Sequence, residues 1–485
     1  MQLPPSFLKS LHGINGFDEN AFVQVHESGE QVTSVRLNPN KLAIGNKQLA
    51  GNPQNSEIAD CRLPVAGFSL PIASPVPWSS YGYYLSERPF FTFDPLLHAG
   101  AYYVQEASGM FLEQAIKQTV DVSKPLRVLD LCAAPGGKST LLQSLLSNES
   151  VLVSNEVIKS RAAILEENCT KWGGANVIVT NNDPKDFTRL ENFFDVIVID
   201  APCSGSGLFR REPEAINEWS EDHVQLCSRR QQRILADVYP SLKQNGILIY
   251  CTCSYSREED EDMLDWMADE LTLSERRSVH SLQLTTEPSW NIVEVQSRKM
   301  GCYGYRFFPD KIKGEGFFIG CFRKTGGETT GIKAPKKSSL QKISKKEMAI
   351  VQPWVKLEIP VQYWKQGEWI LAFPESVEKE LLTIVENLYV RRAGVTIGKT
   401  AGDELIPQHA LAVSTIISDE TVAVSLKKEE ALQYLRKEDV NTTIAHKGWA
   451  LARYGHCNLG WIKLISNRVN NYYPKEWRIL KSAGN

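Results

Sequence analysis

The feature that most constrains the fold is a repeated alternation of short apolar segments and helical segments that begins at residue 126. Continuous apolar runs occupy 126–131 (LRVLDL), 176–180 (NVIVT), 194–200 (FDVIVID) and 246–253 (GILIYCTC), with helical periodicity between them. Runs of this length are typical of strands buried on both faces, and their alternation with helices favours a parallel sheet. We therefore predict a doubly wound, Rossmann-like α/β domain over residues 125–325.

Two further strands and a helix complete this predicted domain. The runs 303–309 (YGYRFFP) and 316–322 (GFFIGCF) are strand candidates that would close the sheet by antiparallel pairing. A helix is predicted to open at Ser256, because Glu258, Glu259 and Asp260 would fall in its first turn, where carboxylates interact favourably with the helix dipole.

The segments on either side of this domain differ from it in composition. Residues 1–124 are rich in Pro and Gly and mix strand-like with helical patches, which predicts an α+β N-terminal region. Residues 326–350 lack apolar periodicity and are rich in Lys, which predicts a basic linker. Residues 351–386 are interpreted as a small connecting segment, and residues 387–485 as a β-rich C-terminal domain.

Composition and charge exclude several classes of protein. Hydrophobic residues make up 42% of the chain, as in ordinary globular proteins, and no apolar run is long enough to span a membrane. The net charge is −3, yet residues 446–485 contain seven Lys or Arg and one Glu, which is compatible with nucleic-acid contact. The ten cysteines are scattered without a C-x-x-C pair, which predicts reduced thiols in the cytoplasm and no metal site. A monomer is the simplest expectation.

The motif VLDLCAAPGGKST (128–140) predicts a ligand site. A strand ends at Asp130, the chain turns through two glycines, and a helix begins at the sheet edge where open α/β folds bind ligands. The spacing matches neither a P-loop nor the G-x-G-x-x-G dinucleotide pattern. Glu156, after the next strand, is placed to bind a ribose diol, and Asp183, after the third strand, to reach an adenine amino group. This order of acid, glycine turn and acid is the S-adenosylmethionine pattern, although a structural turn beside another ligand remains an alternative.

Two further motifs bring thiols to the same edge. DAPCSGSG (200–207) follows the fourth strand and presents the Asp200 carboxylate and the Cys203 thiol. YCTCSYS (250–256) follows the fifth strand and adds Cys253, whose thiol pKa the N-terminus of the next helix would lower. Cys251 lies inside the strand and is expected to pack in the core. A single cysteine after a strand is more often a buried filler, but the shared edge favours a function for Cys203 and Cys253.

Thiols beside a methyl donor indicate a particular reaction. C5 of cytosine is a poor nucleophile, but a thiolate that adds to C6 converts the ring into an enamine, whose C5 can attack a sulfonium methyl group. A carboxyl group near N3 stabilises this adduct, and a base must then remove the C5 proton so that the thiol can leave. The nucleobase must also leave its stack to be reached.

At these motifs the chain resembles the RNA (cytosine-5)-methyltransferases of the Sun-type family. CAAPGGKS, DAPCSGSG and TCS occur here in the family's order, and the segments SVRLNP (34–39), YYVQEASGM (102–110) and RFFPDKIKGEGFFIGCFRK (306–324) are also similar. In the tail, 391–414 and 448–478 resemble the PUA-like RNA-binding domain of the ribosomal small-subunit methyltransferase F group. The resemblance implies S-adenosylmethionine as the cofactor and RNA as the partner, foremost ribosomal RNA or the small ribosomal subunit. It also implies that residues 1–124 and 387–485 bind RNA.

The resemblance assigns roles to individual residues. Cys253 matches the nucleophile that attacks C6, Cys203 the thiol that assists product release, and Asp200 the carboxylate that contacts the base at N3. Lys138 matches a catalytic-site cation near the methionine carboxylate or the substrate. The donor-binding positions that the resemblance implies are Cys132, Ala133, Ala134, Pro135, Gly136, Gly137, Lys138, Glu156, Asp183 and Asp200.

Three other functions remain open from the sequence. A DNA cytosine-5 methyltransferase would use the cysteine of the Pro-Cys dipeptide, Cys203, as its nucleophile and would not need Cys253. A tRNA cytosine-5 methyltransferase is a second alternative. A ribosome assembly factor that binds RNA without catalysis would keep the basic tail, but it would not need both thiols, Asp200 and an intact donor loop together.

Overall fold

The N-terminal region combines helices with a small antiparallel sheet. The computed structural model describes residues 2–42, 70–273, 279–325, 338–356, 360–440, 446–465 and 468–481. The N-terminal elements are α1 (Pro5–Leu11), α2 (Glu19–Glu27), β1 (Ser34–Leu37), β2 (Ile72–Pro75), β3 (Gly82–Leu85), α3 (Pro95–His98), β4 (Tyr102–Val104) and α4 (Leu112–Thr119). The strands pair in the order β2-β3-β1-β4, all antiparallel.

The central domain is a doubly wound sheet, as the alternation of apolar and helical segments predicts. Its elements are β5 (Arg127–Asp130), α5 (Gly137–Leu145), β6 (Val151–Asn155), α6 (Lys159–Trp172), β7 (Val177–Thr180), β8 (Phe194–Asp200), α7 (Glu221–Val238), β9 (Leu242–Thr252), α8 (Glu261–Leu273), β10 (Val279–Leu282), β11 (Val293–Gln296), β12 (Tyr303–Phe307) and β13 (Phe317–Lys324). The strand order is β11-β12-β13-β9-β8-β5-β6-β7, with β10 on β13. Strands β5 to β9 are parallel, and β13 closes on β9 in the antiparallel direction, which confirms that prediction.

Burial on both faces explains the continuous apolar strands. Val128 and Leu129 of β5 are both fully buried, yet they belong to different apolar clusters, one on each face of the sheet. Because β5 lies between β6 and β8, the winding direction of the chain reverses beside it. Ligands bind at such a switch point, outside the carboxyl ends of the strands. The fold therefore selects the ends of β5, β6, β8 and β9 as the candidate site.

The C-terminal part contains two further sheets. Its elements are β14 (Gln341–Lys342), α9 (Lys345–Val351), β15 (Val361–Gln366), β16 (Trp369–Pro374), α10 (Glu378–Asn387), β17 (Val390–Ala393), β18 (Val395–Ala401), β19 (Glu404–Pro407), α11 (His409–Val413), β20 (Ala423–Ser425), α12 (Lys428–Leu435), β21 (Gly448–Tyr454), β22 (Cys457–Ile465) and β23 (Arg468–Asn471). One sheet has the order β14-β15-β16-β18-β19, and the other the order β20-β21-β22-β23.

The predicted linker over residues 326–350 is wrong in its second half. The structure describes it from residue 338, where Leu340 is buried and β14 pairs with β15. Ser344 and Glu347 form a capping box that starts α9, and this local signal outweighs the surrounding lysines. Residues 326–337 lie outside the described residues.

The predicted boundary at residue 387 also differs from the structure. The sheet β14-β15-β16-β18-β19 runs across it, so the predicted connecting segment 351–386 and the start of the C-terminal domain form one unit. Strand β17 leaves this unit and pairs antiparallel with β7, extending the central sheet. Helix α10 within the connecting segment was not predicted, although Leu381 and Ile384 give it a buried face.

The N-terminal region packs against the central domain through a buried arginine. Arg36 of β1 donates to the Thr140 hydroxyl (2.6 Å) and to the carbonyl oxygens of Gly137 and Thr140 (both 3.3 Å), and its guanidinium lies over the Trp172 ring. Burial lowers the pKa of Arg36 to about 9. The SVRLNP segment thus holds the first turn of α5, the helix that follows the glycine turn.

Candidate active site

The carboxyl ends of the parallel strands carry every residue that the motifs single out. Asp130 ends β5, Glu156 follows β6, Asp183 lies beyond β7, Asp200 ends β8, and Cys253 follows β9. In β8 and β9, Asp200 stands opposite Cys251, so the two strands end at the same level. This register brings the second and third motifs side by side.

The glycine turn is held in a defined conformation. Gly136 has φ +118°, a left-handed conformation that a side chain would strain, and its peptide neighbour Ala134–Pro135 is cis. Arg161 donates to the Ala134 carbonyl (2.8 Å), and Asn168 donates to the Pro135 carbonyl (2.8 Å), both from α6. The turn is therefore fixed by the next helix before any ligand binds.

Asp130 is predicted from the sequence only as the end of the first strand, and the structure adds it to the candidate site. Its carboxylate is fully buried, and burial raises its pKa to about 7, against a hydrogen bond of 2.6 Å from the Ser139 hydroxyl. Within the described ranges its second oxygen, Oδ1, has no hydrogen-bond partner. A carboxylate at the end of the first strand was visible in the sequence, but nothing there showed that one oxygen stays unpaired.

Glu156 and Asp183 are placed differently. Glu156 is buried, its Oε1 accepts from the Ile158 amide (2.9 Å), and its Oε2 lies 3.4 Å from Arg161. Asp183 is half-buried and caps a short 3₁₀ turn, accepting from the Lys185 amide at 3.2 Å. Glu156 therefore has one oxygen committed to the backbone and one near a flexible cation.

The two predicted catalytic thiols are in contact. Cys203 Sγ and Cys253 Sγ are 2.9 Å apart, and both side chains are half-buried. The pKa of Cys203 is raised well above its ordinary value, first by the hydrogen bond between the two thiols and then by desolvation. This raised pKa favours the protonated form of the Cys203 thiol.

Asp200 and Lys138 form an ion pair at the same edge. Lys138 Nζ is 2.7 Å from Asp200 Oδ2 and 5.1 Å from the centre of the Phe317 ring. Burial opposes the charge of Lys138, but the Asp200 carboxylate outweighs it and the pKa of Lys138 is raised. Cys251 is buried in β9, with its sulfur 3.8 Å from Asp200 Oδ1, and burial raises its pKa well above the ordinary value.

The α-helix predicted to open at Ser256 begins later in the structure. The chain after Ser256 forms a 3₁₀ turn at Arg257–Glu259, and α8 begins only at Glu261. Glu259 and Asp260 are not exposed first-turn carboxylates, because both are fully buried. Asp260 contacts Arg306 (3.0 Å) and the Thr252 hydroxyl (2.7 Å), while Glu259 receives hydrogen bonds from the thiol-bearing loops.

Three family models match successive parts of the chain. The N-terminal domain of 16S rRNA methyltransferase RsmF matches residues 3–107, the 16S rRNA methyltransferase RsmB/F matches residues 118–323, and the methyltransferase RsmF PUA domain matches residues 421–479. The PUA match begins well after residue 387, in agreement with the separate sheet β20-β21-β22-β23.

Curated relatives cover most of the chain. The ribosomal RNA small subunit methyltransferase F of Vibrio cholerae is 31% identical over 419 residues, which are 83% of this chain and 85% of the relative. The protein of the same name from Escherichia coli O157:H7 is 27% identical over 420 residues, 83% of this chain and 84% of the relative.

Solved structures share the fold. NSun6 from Pyrococcus horikoshii, determined with SFG, superposes with a TM-score of 0.50 at 18% identity, over 67% of this chain and 99% of that one. The protein PH0851 superposes with a TM-score of 0.53 at 21% identity, over 66% of each chain.

The doubly wound sheet and the fixed glycine turn, together with the matched domains, define an S-adenosylmethionine-dependent methyltransferase. Within that class, the chain belongs to the ribosomal RNA small subunit methyltransferase F family. Among the described residues, no helix is long and apolar enough to cross a membrane, and no cluster of three or more metal-binding side chains occurs.

Proposed function

We propose that this protein methylates C5 of a cytosine in small-subunit ribosomal RNA through a covalent bond between Cys253 and C6. The observation that carries the proposal is the 2.9 Å contact between the Cys203 and Cys253 sulfurs, beside the Lys138–Asp200 ion pair. A reaction that makes and then breaks a sulfur–carbon bond needs a nucleophile and a separate proton acceptor. The substrate class follows from the relatives, which are named as ribosomal RNA methyltransferases.

The residues around the glycine turn fit the methyl donor. S-adenosylmethionine supplies a methyl group on a positively charged sulfur and carries a carboxylate, an amine and a ribose diol. The unpaired Oδ1 of Asp130 suits the amine or another donor, the Gly136–Gly137 turn lets a ligand approach the backbone, and Glu156 suits the diol. Asp183 would face the adenine amino group, and the turn from Cys132 to Lys138 would enclose the methionine part.

The first step uses Cys253, which attacks as its thiolate. Cys253 sulfur adds to C6 of the flipped cytosine and forms a sulfur–carbon bond, and the electron pair of the C5=C6 bond moves to C5 and the ring. Asp200 stabilises this adduct by hydrogen bonding at N3, while Lys138 fixes the carboxylate. The raised pKa of Cys203 favours its protonated thiol during this step.

The second step returns the enzyme to its starting state. C5 takes the methyl group, and the donor leaves as S-adenosylhomocysteine with the electron pair of the broken sulfur–methyl bond. The C5 proton then passes to a base while the bond from C6 to Cys253 breaks and the Cys253 sulfur keeps the electron pair. Once Cys253 is a thioether, it carries no charge, so the hydrogen bond that raised the pKa of Cys203 is lost. Cys203 can then pass its own proton to water, and we assign the C5 proton to the resulting Cys203 thiolate, directly or through water, which restores the thiol.

RNA contact is assigned to the two flanking regions. Arg468 and Lys475 are exposed in the basic tail, and phosphate contacts by such residues supply affinity without reading the sequence. The N-terminal region packs on α5 through Arg36 and would border the cleft beside the glycine turn. We expect a monomer that acts in the cytoplasm.

The proposal is tested by trapping the adduct on a denaturing gel. The Cys203→Ala variant, incubated with S-adenosylmethionine and small ribosomal subunits or their RNA, should accumulate a protein–RNA adduct, because the product cannot leave. Cys253→Ala should give none, and Cys302→Ala, which removes a buried thiol elsewhere, should behave like the unmodified protein.

Other outcomes contradict specific parts of the proposal. An adduct in Cys253→Ala alone would exchange the two roles and favour the mechanism of DNA cytosine-5 methyltransferases. If neither variant forms an adduct with any RNA tested, although both still bind the donor, the result would favour a non-catalytic RNA-binding factor.

The donor assignment is tested at Glu156. Glu156→Gln should weaken S-adenosylmethionine binding by about 10- to 100-fold, because hydrogen bonds to a charged acceptor are worth about 1.5–3 kcal/mol. Isothermal titration of the purified protein measures this dissociation constant. Glu149→Gln, at an exposed position in the preceding loop, is the control and should leave it unchanged. Equal affinities in all three proteins would remove Glu156 from the donor site.

The basic tail is tested by charge removal. Replacing Arg468, Lys475 and Arg478 together by Gln should raise the KM for RNA, reduce its salt dependence by up to about three in the log–log slope, and leave kcat at saturating RNA nearly unchanged. The matched control replaces the exposed Arg229, Arg230 and Arg233 of α7 by Gln. If the tail variant and this control have the same KM and salt slope, specific contact by the tail is refuted.

A further inference from the structure

One buried carboxylate joins the two loops that carry the catalytic thiols. Glu259 Oε1 accepts hydrogen bonds from the Ser204 amide (2.8 Å) and the Gln231 side chain (3.1 Å). Glu259 Oε2 accepts from the hydroxyls of Ser204 (2.5 Å) and Ser254 (2.6 Å). Ser204 directly follows Cys203, and Ser254 directly follows Cys253. A single side chain is therefore bonded one residue away from each thiol.

Burying this carboxylate destabilises the fold unless hydrogen bonds satisfy both of its oxygens. Glu259 is completely buried, and the described residues place no Lys or Arg in an ion pair with it, so four hydrogen bonds from neutral groups hold its charge. Burial raises its pKa, against the hydrogen bonds from Ser204 and Ser254 that lower it. An apolar residue of similar size would fill the space at lower cost.

Further hydrogen bonds connect the Glu259 backbone and its partner Gln231 to the sheet and to the Cys203 loop. The hydroxyl of Tyr250 in β9 lies 2.7 Å from the Glu259 carbonyl oxygen and 2.9 Å from Gln231 Oε1. Gln231 of α7 also donates to the Pro202 carbonyl (3.1 Å), directly before Cys203. The Cys203 loop is thus hydrogen-bonded on both sides of the thiol to residues outside the loop, Gln231 and Glu259.

We propose that Glu259 is a positioning residue that sets the separation of the Cys203 and Cys253 sulfurs. The inference rests on the proposed function, because it assigns the separation a role in proton transfer during release of the product. The Glu259 charge also contributes to the raised pKa of Cys203, since a nearby anion disfavours a second one. The assignment rests on the hydrogen bonds that Glu259 makes beside each thiol, and the Glu259 charge additionally favours the protonated thiol at Cys203.

The test compares two substitutions that differ in what they remove. Glu259→Gln can keep all four hydrogen bonds. The oxygen of the new side chain can accept from the Ser204 amide and from Gln231, and its amide group can donate to the two serine hydroxyls, which also accept. Glu259→Ala removes all four bonds. We expect kcat to fall about 100-fold in Glu259→Ala and less than about 10-fold in Glu259→Gln, as for a small misplacement of reacting groups. The KM for S-adenosylmethionine should stay within about twofold in both, since Glu259 does not contact the glycine turn.

Glu113 provides a matched control. Its carboxylate is also buried and also accepts from serines, from the Ser79 hydroxyl at 2.9 Å and the Ser80 hydroxyl at 2.5 Å, but it lies on α4, away from the thiols. Unlike Glu259 it also pairs with a lysine, Lys117, at 2.6 Å, so its removal should cost at least as much stability. Glu113→Ala should lower the melting temperature at least as much as Glu259→Ala while leaving kcat nearly unchanged. This comparison separates lost stability from lost positioning.

The outcomes distinguish the inference from the proposed function. Equal loss of kcat in Glu113→Ala and Glu259→Ala, or no rescue by Gln, would overturn the positioning role. The Cys203→Ala variant is run on the same RNA. If it traps RNA while folded Glu259→Ala turns over at the unmodified rate, the covalent mechanism stands and the inference alone falls. If neither cysteine variant traps RNA with donor bound, the proposed function falls, and the inference falls with it.

Discussion

The site depends on two adjacent parallel strands that end at the same level. Strands β8 and β9 pair in a register that sets Asp200 opposite Cys251, so the loops that follow them start side by side. Two thiols that are 50 residues apart in sequence then meet at 2.9 Å. Parallel strands place their carboxyl ends on one edge of a sheet, and helices cover both faces, so that edge is where side chains can meet a ligand.

Acidic groups dominate this edge, and each is stabilised in a different way. Asp200 pairs with Lys138, Glu156 caps a backbone amide, Asp130 keeps one oxygen unpaired, and Glu259 is held by serines and a glutamine. A positively charged sulfur in the donor complements such an edge. The negative surroundings also favour the protonated thiol at Cys203.

The sequence predicted the parts of this structure that depend on local pattern. Continuous apolar strands and the glycine turn defined the central sheet and its edge, and the strand ends at Asp130 and Asp200 fall where the pattern put them. Position along the chain could not show that Glu259 turns inward, because a carboxylate after Ser256 matches a helix start equally well. Its partners Ser204 and Gln231 are distant in sequence, so only the folded structure shows these hydrogen bonds.

The C-terminal part shows the same limit at the level of domains. Residues 341–407 contain short strands with large aromatic residues, and nothing local shows that β17 leaves its own sheet to pair with β7. The Asn182 side chain forms two hydrogen bonds with the backbone of Tyr389, which fastens this strand beside the loop of Asp183. The C-terminal unit is thereby joined to the Asp183 side of the central domain by long-range pairing that sequence periodicity does not show.

The central claim is tested most directly by locating the covalent bond. RNA that contains 5-fluorocytidine would stay attached after methyl transfer, because C5 then has no proton to lose. Tryptic digestion separates the Cys203 peptide, residues 190–210, from the Cys253 peptide, residues 244–257, and fragmentation in the mass spectrometer distinguishes Cys253 from Cys251. The account predicts a methylated fluorocytidine nucleotide on Cys253. The same nucleotide on Cys203, or an unmodified pair of peptides from protein that has bound donor and RNA, would contradict it.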